Sequence, residues 1–217
     1  MIILNIIYTI NLVIILDKKK IGIIIVILAV LIVGAYQFVY VPYHQEQCKI
    51  NFNAGLKNAS QIELDLNKSV AEFNLGNYTD LTDFSTQSHK LLDEVVNPKV
   101  DEEIKVLNET LEYADGNKTK EQYINYQIER LTLEKEATVK LIEDYDKMVN
   151  SVNSGEFVQA LGDSTSLGNN TNDNFVKIKT VNDNIKALLD ANPDLNQTLN
   201  DLNLYEEFYG IYGNDTA

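Results

Sequence analysis

From Ile21 to Val41 the chain reads IGIIIVILAVLIVGAYQFVYV, 21 residues without a charge, directly behind Lys18-Lys19-Lys20. Only Gln37, near the far end, interrupts the apolar pattern, whereas a soluble amphipathic helix would show a polar face. At 1.5 Å per residue such a helix reaches about 31 Å, enough to cross a hydrocarbon core of about 30 Å. The pattern predicts a transmembrane helix over residues 21–41, a signal anchor with the lipid bilayer as its partner. The stretch before it, MIILNIIYTINLVIIL, is apolar for 16 residues, about 24 Å as a helix. It reads either as a short first span or as a stretch upstream of the true start, and the domain boundaries are set at 1–20, 21–41 and 42–217.

Beyond Val41 the apolar residues recur at steps of three and four, one helical face at a time. Phe52, Leu56, Ala59, Ile62, Leu66, Val70 and Phe73 form a first stripe that stops at Leu75-Gly76-Asn77, a C-cap signal. Leu81, Phe84, Leu91 or Leu92 and Val95 begin a second, which Val100, Ile104, Leu107 and Leu111 continue to Asp115-Gly116-Asn117. Asn97-Pro98 within it predicts a kink or short break. A third runs through Ile124, Ile128, Leu131, Thr138, Leu141 or Ile142, Tyr145, Val149 and Val152 to Asn153-Ser154-Gly155. The fourth goes from Phe157 and Leu161 through Thr171, Phe175, Ile178, Val181, Ile185 and Leu188 to Ala191-Asn192-Pro193. Its middle, Gly162 to Thr171, is small and polar, which predicts a bend or local fraying. An aromatic segment, Leu204 to Tyr212, finishes the series.

The turn signals near 76, 116, 155 and 192 lie 37 to 40 residues apart. Segments of equal length joined by short turns predict an all-α protein: the transmembrane helix, then an elongated antiparallel up-down-up-down four-helix bundle, packed in coiled-coil fashion, with a short C-terminal helix. A faint repeat agrees. Asp65, Lys68, Val70, Asn74, Gly76 and Tyr78 recur as Asp144, Lys147, Val149, Asn153, Gly155 and Phe157, offset by 79 residues. Each copy sets an aromatic residue two positions past the turn glycine, where it can pack back on its hairpin.

Charge then fixes topology and narrows the partners. From Pro42 onward there are 31 acidic against 15 basic residues, and the one tight basic cluster is Lys18, Lys19 and Lys20. Flanking lysines bias that end to the cytoplasm, leaving the acidic domain outside a cell membrane crossed once. An acidic domain without a basic stripe excludes nucleic acid as a partner, because neutralising phosphates supplies most of that affinity. A lone cysteine, Cys48, gives neither a disulfide framework nor a metal-ligand set; it reads as a buried thiol or as an intermolecular bridge between two stalks.

Catalytic chemistry is thin. His44 and His89 are the only histidines, and no zinc-protease, P-loop, nucleophile-elbow or dinucleotide motif occurs. Asp163 to Gly168 starts like a calcium loop but has Leu167 at the fifth position and Asn174 in place of the bidentate glutamate. Glu102-Glu103 and Glu206-Glu207 read as solvated helix charges. The expectation is a protein that is not an enzyme, with no cofactor and no metal. One motif stands above background: Asn-x-Ser/Thr at Asn58, Asn67, Asn77, Asn108, Asn117, Asn169, Asn196 and Asn214, eight sites where composition gives roughly three. These are glycosylation candidates, against the alternative of an Asn-rich chain whose turns attract Ser and Thr. Tyr205, Phe208, Tyr209 and Tyr212 share one helical face and read either as a cap on the bundle core or as a candidate partner patch.

Together these readings predict a membrane-anchored extracytoplasmic helical bundle of the cell envelope, a glycoprotein acting by protein contact, by self-association or as a spacer. Two alternatives stand beside it. A ligand-sensing ectodomain, resembling the helical bundles of membrane receptors, would have to signal through a partner, since only about 20 residues precede the span. A secreted or pilus-like subunit would be released by cleavage after Ala35 or Gly22. Lys20-Ile21-Gly22 ahead of a long apolar helix resembles prepilin-type signals, although the acidic residue usual near the start of the mature helix is missing.

Overall fold

A computed structural model of the chain describes the backbone of residues 18–204 and the side chains of residues 25–204. All regular structure among the described residues is helical. The chain divides into two units, Met1–Gln47 and Cys48–Ala217.

In the first unit, α1 (Lys18–Ala35) passes into a π-helical turn, Tyr36–Tyr40. It is the one helical stretch, among the described residues, long and apolar enough to cross a membrane. From Ile25 on, its side chains find no cover among the described residues: Ile25, Leu28, Leu31 and Val33 are all more than half exposed. The rings of Tyr36 and Tyr40 stack at 5.4 Å where the apolar run ends. The stretch 1–16 lies outside the described residues.

The second unit holds the remaining helices. They are α2 (Val41–Asn74, belonging to this unit from Cys48), α3 (Leu81–Leu91), α4 (Asn97–Leu111), α5 (Lys118–Asn153), α6 (Phe157–Ala191) and α7 (Pro193–Leu202). The sequence places all four turns within a few residues of where the helices stop, for legible reasons. Asp80 caps α3 by accepting from the Asp83 amide at 2.8 Å, while the Asp83 carboxylate accepts from the Thr79 amide at 3.0 Å. Asp115 and Gly116 take left-handed backbone (φ 55° and 70°), and Asn117 then caps α5 through the amides of Thr119 and Lys120. Gly155, at φ 75°, turns the chain from α5 to α6.

At Asn97-Pro98 the helix does not break. It absorbs the proline in a π-helical turn, Leu92–Val96, that joins α3 to α4. The bend expected over Gly162 to Thr171 is also absent, since α6 is continuous there. Thr165 and Thr171 return their hydroxyls to the carbonyls of Leu161 and Leu167, and Ser151 of α5 donates to Asp163 at 2.7 Å. Small polar residues cost a helix only a fraction of a kcal/mol each, about 0.7 at most apart from glycine, which pairing with a neighbour offsets. At the last turn the chain restarts as α7, because Pro193 sits where the first helical turn needs no amide. The short helix expected over Leu204 to Tyr212 is thus preceded by one the sequence reading did not separate, and residues 205–212 lie outside the described residues.

The two copies of the repeat behave differently. Tyr78 packs back, with its ring 5.2 Å from Phe73 and 4.9 Å from Phe84 and its hydroxyl donating to the Phe73 carbonyl. A β-carbon on Gly76 would lie 2.6 Å from that hydroxyl, so the close approach requires glycine. Phe157, the equivalent of Tyr78, is 67% exposed.

Candidate functional site

The core of the second unit is continuous but unequal along its length. Phe52, Leu56 and Ala59 of α2, Leu107 of α4, Tyr123, Ile124 and Leu131 of α5, Ile185 of α6 and Leu199 of α7 are essentially without exposure. Past Glu63 the α2 stripe loosens. Leu66, Val70 and Phe73 are only partly buried and line a groove of about 510 Å³. Phe84 and Leu91 of α3, Leu92 and Val96 of the π turn, and Leu141, Ile142 and Tyr145 of α5 form its other walls. No residue of α6 lines it. Its volume and apolar walls match those of sites that take small ligands or partner side chains.

A buried charged network closes one end. Arg130, fully buried, donates from both terminal nitrogens to Glu63, at 2.7 and 2.9 Å, and from Nε to Gln127 Oε1 at 3.0 Å. Gln127 in turn donates to the Tyr123 hydroxyl at 3.0 Å. Glu134, on the groove wall, accepts from Arg130 at 3.3 Å. Glu103 is also fully buried, and neither of its carboxyl oxygens has a hydrogen-bond partner. Burial first, and the neighbouring Glu63 second, push its carboxyl up to about 9 against the pull of Arg130, so it is held neutral at pH 7. A neutral acid in the interior costs far less than a bare unpaired charge there.

Glu103 therefore corrects the sequence reading: Glu102 is exposed, as a solvated helix charge should be, but Glu103 is not. Its place between Val100 and Leu107, at steps of three and four, was the signal available. Arg130 was missed as well. It is the single arginine of a chain that otherwise uses lysine, and it lies one residue before a core leucine. Such use is meaningful because the guanidinium fork matches a carboxylate bidentately.

At the other end of the groove Phe84 meets Tyr145 edge to face at 5.1 Å. Beside them Asp146 accepts from the Ser85 hydroxyl and pairs with His89 Nε2 at 2.6 Å. Serine, histidine and aspartate together invite a catalytic reading, but the geometry does not support one. Both Ser85 and His89 engage the carboxylate rather than each other, so no hydroxyl is set against an imidazole base. The cluster ties α3 to α5. A second tie joins α5 to α6: Asp144 accepts from Lys140 at 2.9 Å, from Lys147 at 2.7 Å and from Asn170. Those hydrogen bonds, led by Lys147, hold its carboxyl well below the usual carboxylate range.

Of the glycosylation candidates, Asn58, Asn77, Asn108, Asn117 and Asn169 are exposed, with Asn77 and Asn117 in turns as expected. Asn67, on the groove wall, and Asn196 are partly buried. Asn214 lies outside the described residues, as do Tyr205, Phe208, Tyr209, Tyr212, Glu206 and Glu207. Lys18, Lys19 and Lys20 form the first turn of α1. The Cys48 thiol is buried. No protein-family model, curated protein or solved structure matches this chain.

Proposed function

We propose that this is a single-pass membrane protein of the cell envelope, anchored through residues 21–41, whose acidic helical domain lies outside and acts by protein contact or as a spacer, without catalysis. The observation that carries the reading is the uncovered apolar surface of α1, where Ile25 through Val33 present aliphatic side chains that none of the described residues buries. At about 25 cal/mol per Å² of apolar surface, a helix of this kind left in water is strongly disfavoured, and lipid is the environment that removes the cost. Tyr36, Phe38, Tyr40 and Tyr43, all exposed, follow it as an interfacial aromatic belt would. The lysines ahead of α1 supply the orientation argument, and the exposed sequons are consistent with an outward, glycosylated domain.

The domain is proposed to be an up-down-up-down bundle of α2, the α3–α4 pair, α5 and α6. Spin-label pairs placed along α2 and α6 test that order, since neighbouring helices give short distances at both ends and splayed ones at one end only. Topology is tested by a protease that cannot enter intact cells. It should remove the chain beyond residue 42, and full protection until the membrane is opened would overturn the orientation. Intact mass from native membranes tests the rest: sugar-sized increments on an uncleaved chain support the glycosylated anchor, while a mass set by cleavage after Gly22 or Ala35 supports a pilus-like or released subunit.

A second reading, the ligand-sensing ectodomain, is favoured by the apolar groove between α2, α3 and α5. A saturable rise in melting temperature with a small apolar ligand would support it. No shift across a panel of such ligands would remove it.

A further inference from the structure

We infer that α6 carries, on a side away from α5, a seam for the same helix of a second copy of this chain, the two helices running parallel. This rests on the reading of a membrane-anchored protein that acts by contact, and it names the partner.

The seam shows as exposure where a one-sided helix would have none. α6 is held to α5 by Asp163 and Asn170, which bond Ser151 and Asp144, and it buries Ala160 and Val181. Yet Phe157, Val158, Leu161, Phe175 and Val176 are each more than half exposed. At 3.6 residues per turn these five fall within one arc of about 100°, well round the helix from the residues that meet α5. Phe157, Val158 and Leu161 stand at one end of the arc and Phe175 and Val176 at the other, Leu161 and Phe175 about 21 Å apart. Large apolar side chains gathered on one exposed face mark an interaction surface.

Charge is the first guide to the occupant. From Pro42 onward the chain carries 31 acidic residues against 15 basic, so two copies repel over most of their surface. Between Phe157 and Thr180 the balance is even: Asp163 and Asp173 against Lys177 and Lys179. Both aspartates fall outside the arc, and Lys179, inside it, pairs with Asp183 of its own helix at 3.0 Å. A face without carboxylates gives a cationic partner nothing to hold, and it suits a partner as acidic as the chain itself.

Spacing is the second. Val158, Leu161, Thr165, Gly168, Asn172 and Phe175 follow at alternating steps of three and four, the heptad pattern of paired helices. Asn172 shares the Val158 and Thr165 set, the position where a single asparagine fixes the register of two parallel strands. A β-carbon on Gly168 would meet nothing within 4 Å, so one copy alone has no packing need for a residue that weakens a helix interior. Between two copies it lets the backbones close.

Size is the third. From Val158 to Phe175 the strip is about 26 Å long and, at a helix width of about 10 Å, about 260 Å² in projection. That is well below the roughly 800 Å² per partner of stable complexes between freely diffusing proteins. Two copies anchored in one membrane meet at high effective concentration and in the same sense, which a small parallel seam requires.

The test uses the full chain in lipid nanodiscs that hold two copies, in a Cys48→Ser background. Leu161→Cys should form a disulfide-linked dimer under mild oxidation at least tenfold faster than Gln159→Cys, which lies on another exposed side of α6. Equal rates, or no reaction at Leu161, would overturn the inference. A disulfide between one Leu161→Cys chain and one Phe175→Cys chain would assign the face to an antiparallel pair and overturn it as well. Leu161→Glu with Phe175→Glu, both at exposed positions, gives a readout without oxidation. Energy transfer between labelled copies in liposomes should report pairing at least tenfold weaker at an unchanged melting temperature, and unchanged pairing would overturn the seam. So would a sugar on Asn169, which flanks Asn172, in chains that pair. Intact mass of the same preparation separates the two failures. A chain that has lost its anchor removes the underlying reading together with this inference, whereas an anchored chain that stays single removes this inference alone.

Discussion

The two halves of α2 carry one pattern and meet two fates. From Cys48 to Glu63 and from Leu64 to Asn74 the apolar residues keep the same spacing, yet Phe52, Leu56 and Ala59 are fully buried while Leu66, Val70 and Phe73 are only partly so. The difference lies in what the other helices bring to each half. The core that holds the first half also takes in Val181, Ile185, Leu189, Leu195 and Leu199 of α6 and α7. No α6 residue lines the groove beside the second half; there α6 is held to α5 by polar ties at Asp144 and Ser151, with Leu161 and Phe175 left exposed. Burial is a property of facing pairs of surfaces, and a stripe whose apolar partners stand apart from it becomes a groove.

The contrast makes the two halves unequal in what a substitution costs. The largest effect is expected at Arg130. Arg130→Met leaves the buried carboxylate of Glu63 without its cation and should cost about 3–5 kcal/mol in chemical unfolding of the detergent-solubilised chain. Replacing Glu63 and Arg130 together by apolar residues should restore most of that, and a double variant as unstable as the single one would mean the pair acts by packing alone.

Phe52→Ala, in the closed half, should cost about 3–5 kcal/mol, against less than about 0.5 for Phe175→Ala in the open half. Equal losses would abolish the distinction between the halves.

Glu103 sharpens it through pH. Its carboxyl rises from 4.5 to about 9 in the folded state, so the unfolded chain gives up this proton first as pH increases. The contribution is complete below about 4.5 and is lost progressively toward about 9. Glu103→Gln has no such proton, and its unfolding free energy relative to the parent chain should climb by about 1–3 kcal/mol between pH 5 and 8. A parallel pH profile would mean that the acid is solvated. Asp144 works in the opposite sense: its lowered carboxyl stabilises above the ordinary value of 3.8 and ceases to as pH falls through the folded value.

Two glycines mark the halves by sign rather than by size. At Gly55 a β-carbon would lie 1.9 Å from Thr110 Oγ1, so Gly55→Ala should destabilise by about 1–3 kcal/mol. At Gly162, in a helix with nothing within 4 Å, Gly162→Ala should stabilise by about 0.5–1 kcal/mol. Opposite signs at two helical glycines are the cleanest mark of a closed and an open half, read from paired melting curves.

Helix identity, the turns at 116 and 155 and the apolar helix ahead of the domain were legible in the sequence, because each depends on local spacing, on glycine's access to left-handed backbone, or on a run without charge. The π turn before Pro98 and the continuity of α6 were not, because each is decided by what a neighbouring helix supplies. The same holds for the candidate site. The stripe Leu66, Val70 and Phe73 could be read as a helical face, but not as the wall of a groove, since that depends on where the apolar residues of α3 and α5 come to stand. The charge of Glu103 belongs here too: a glutamate's titration is set by whether water reaches it, and its sequence neighbours are as ordinary as those of Glu102. What the sequence by itself determined is therefore which residues form helices, where most of them stop, and which stretch is apolar enough to leave water. Tertiary structure alone decided which apolar faces found partners and which carboxyls lost their solvent, because burial energy depends on surfaces brought together from distant parts of the chain.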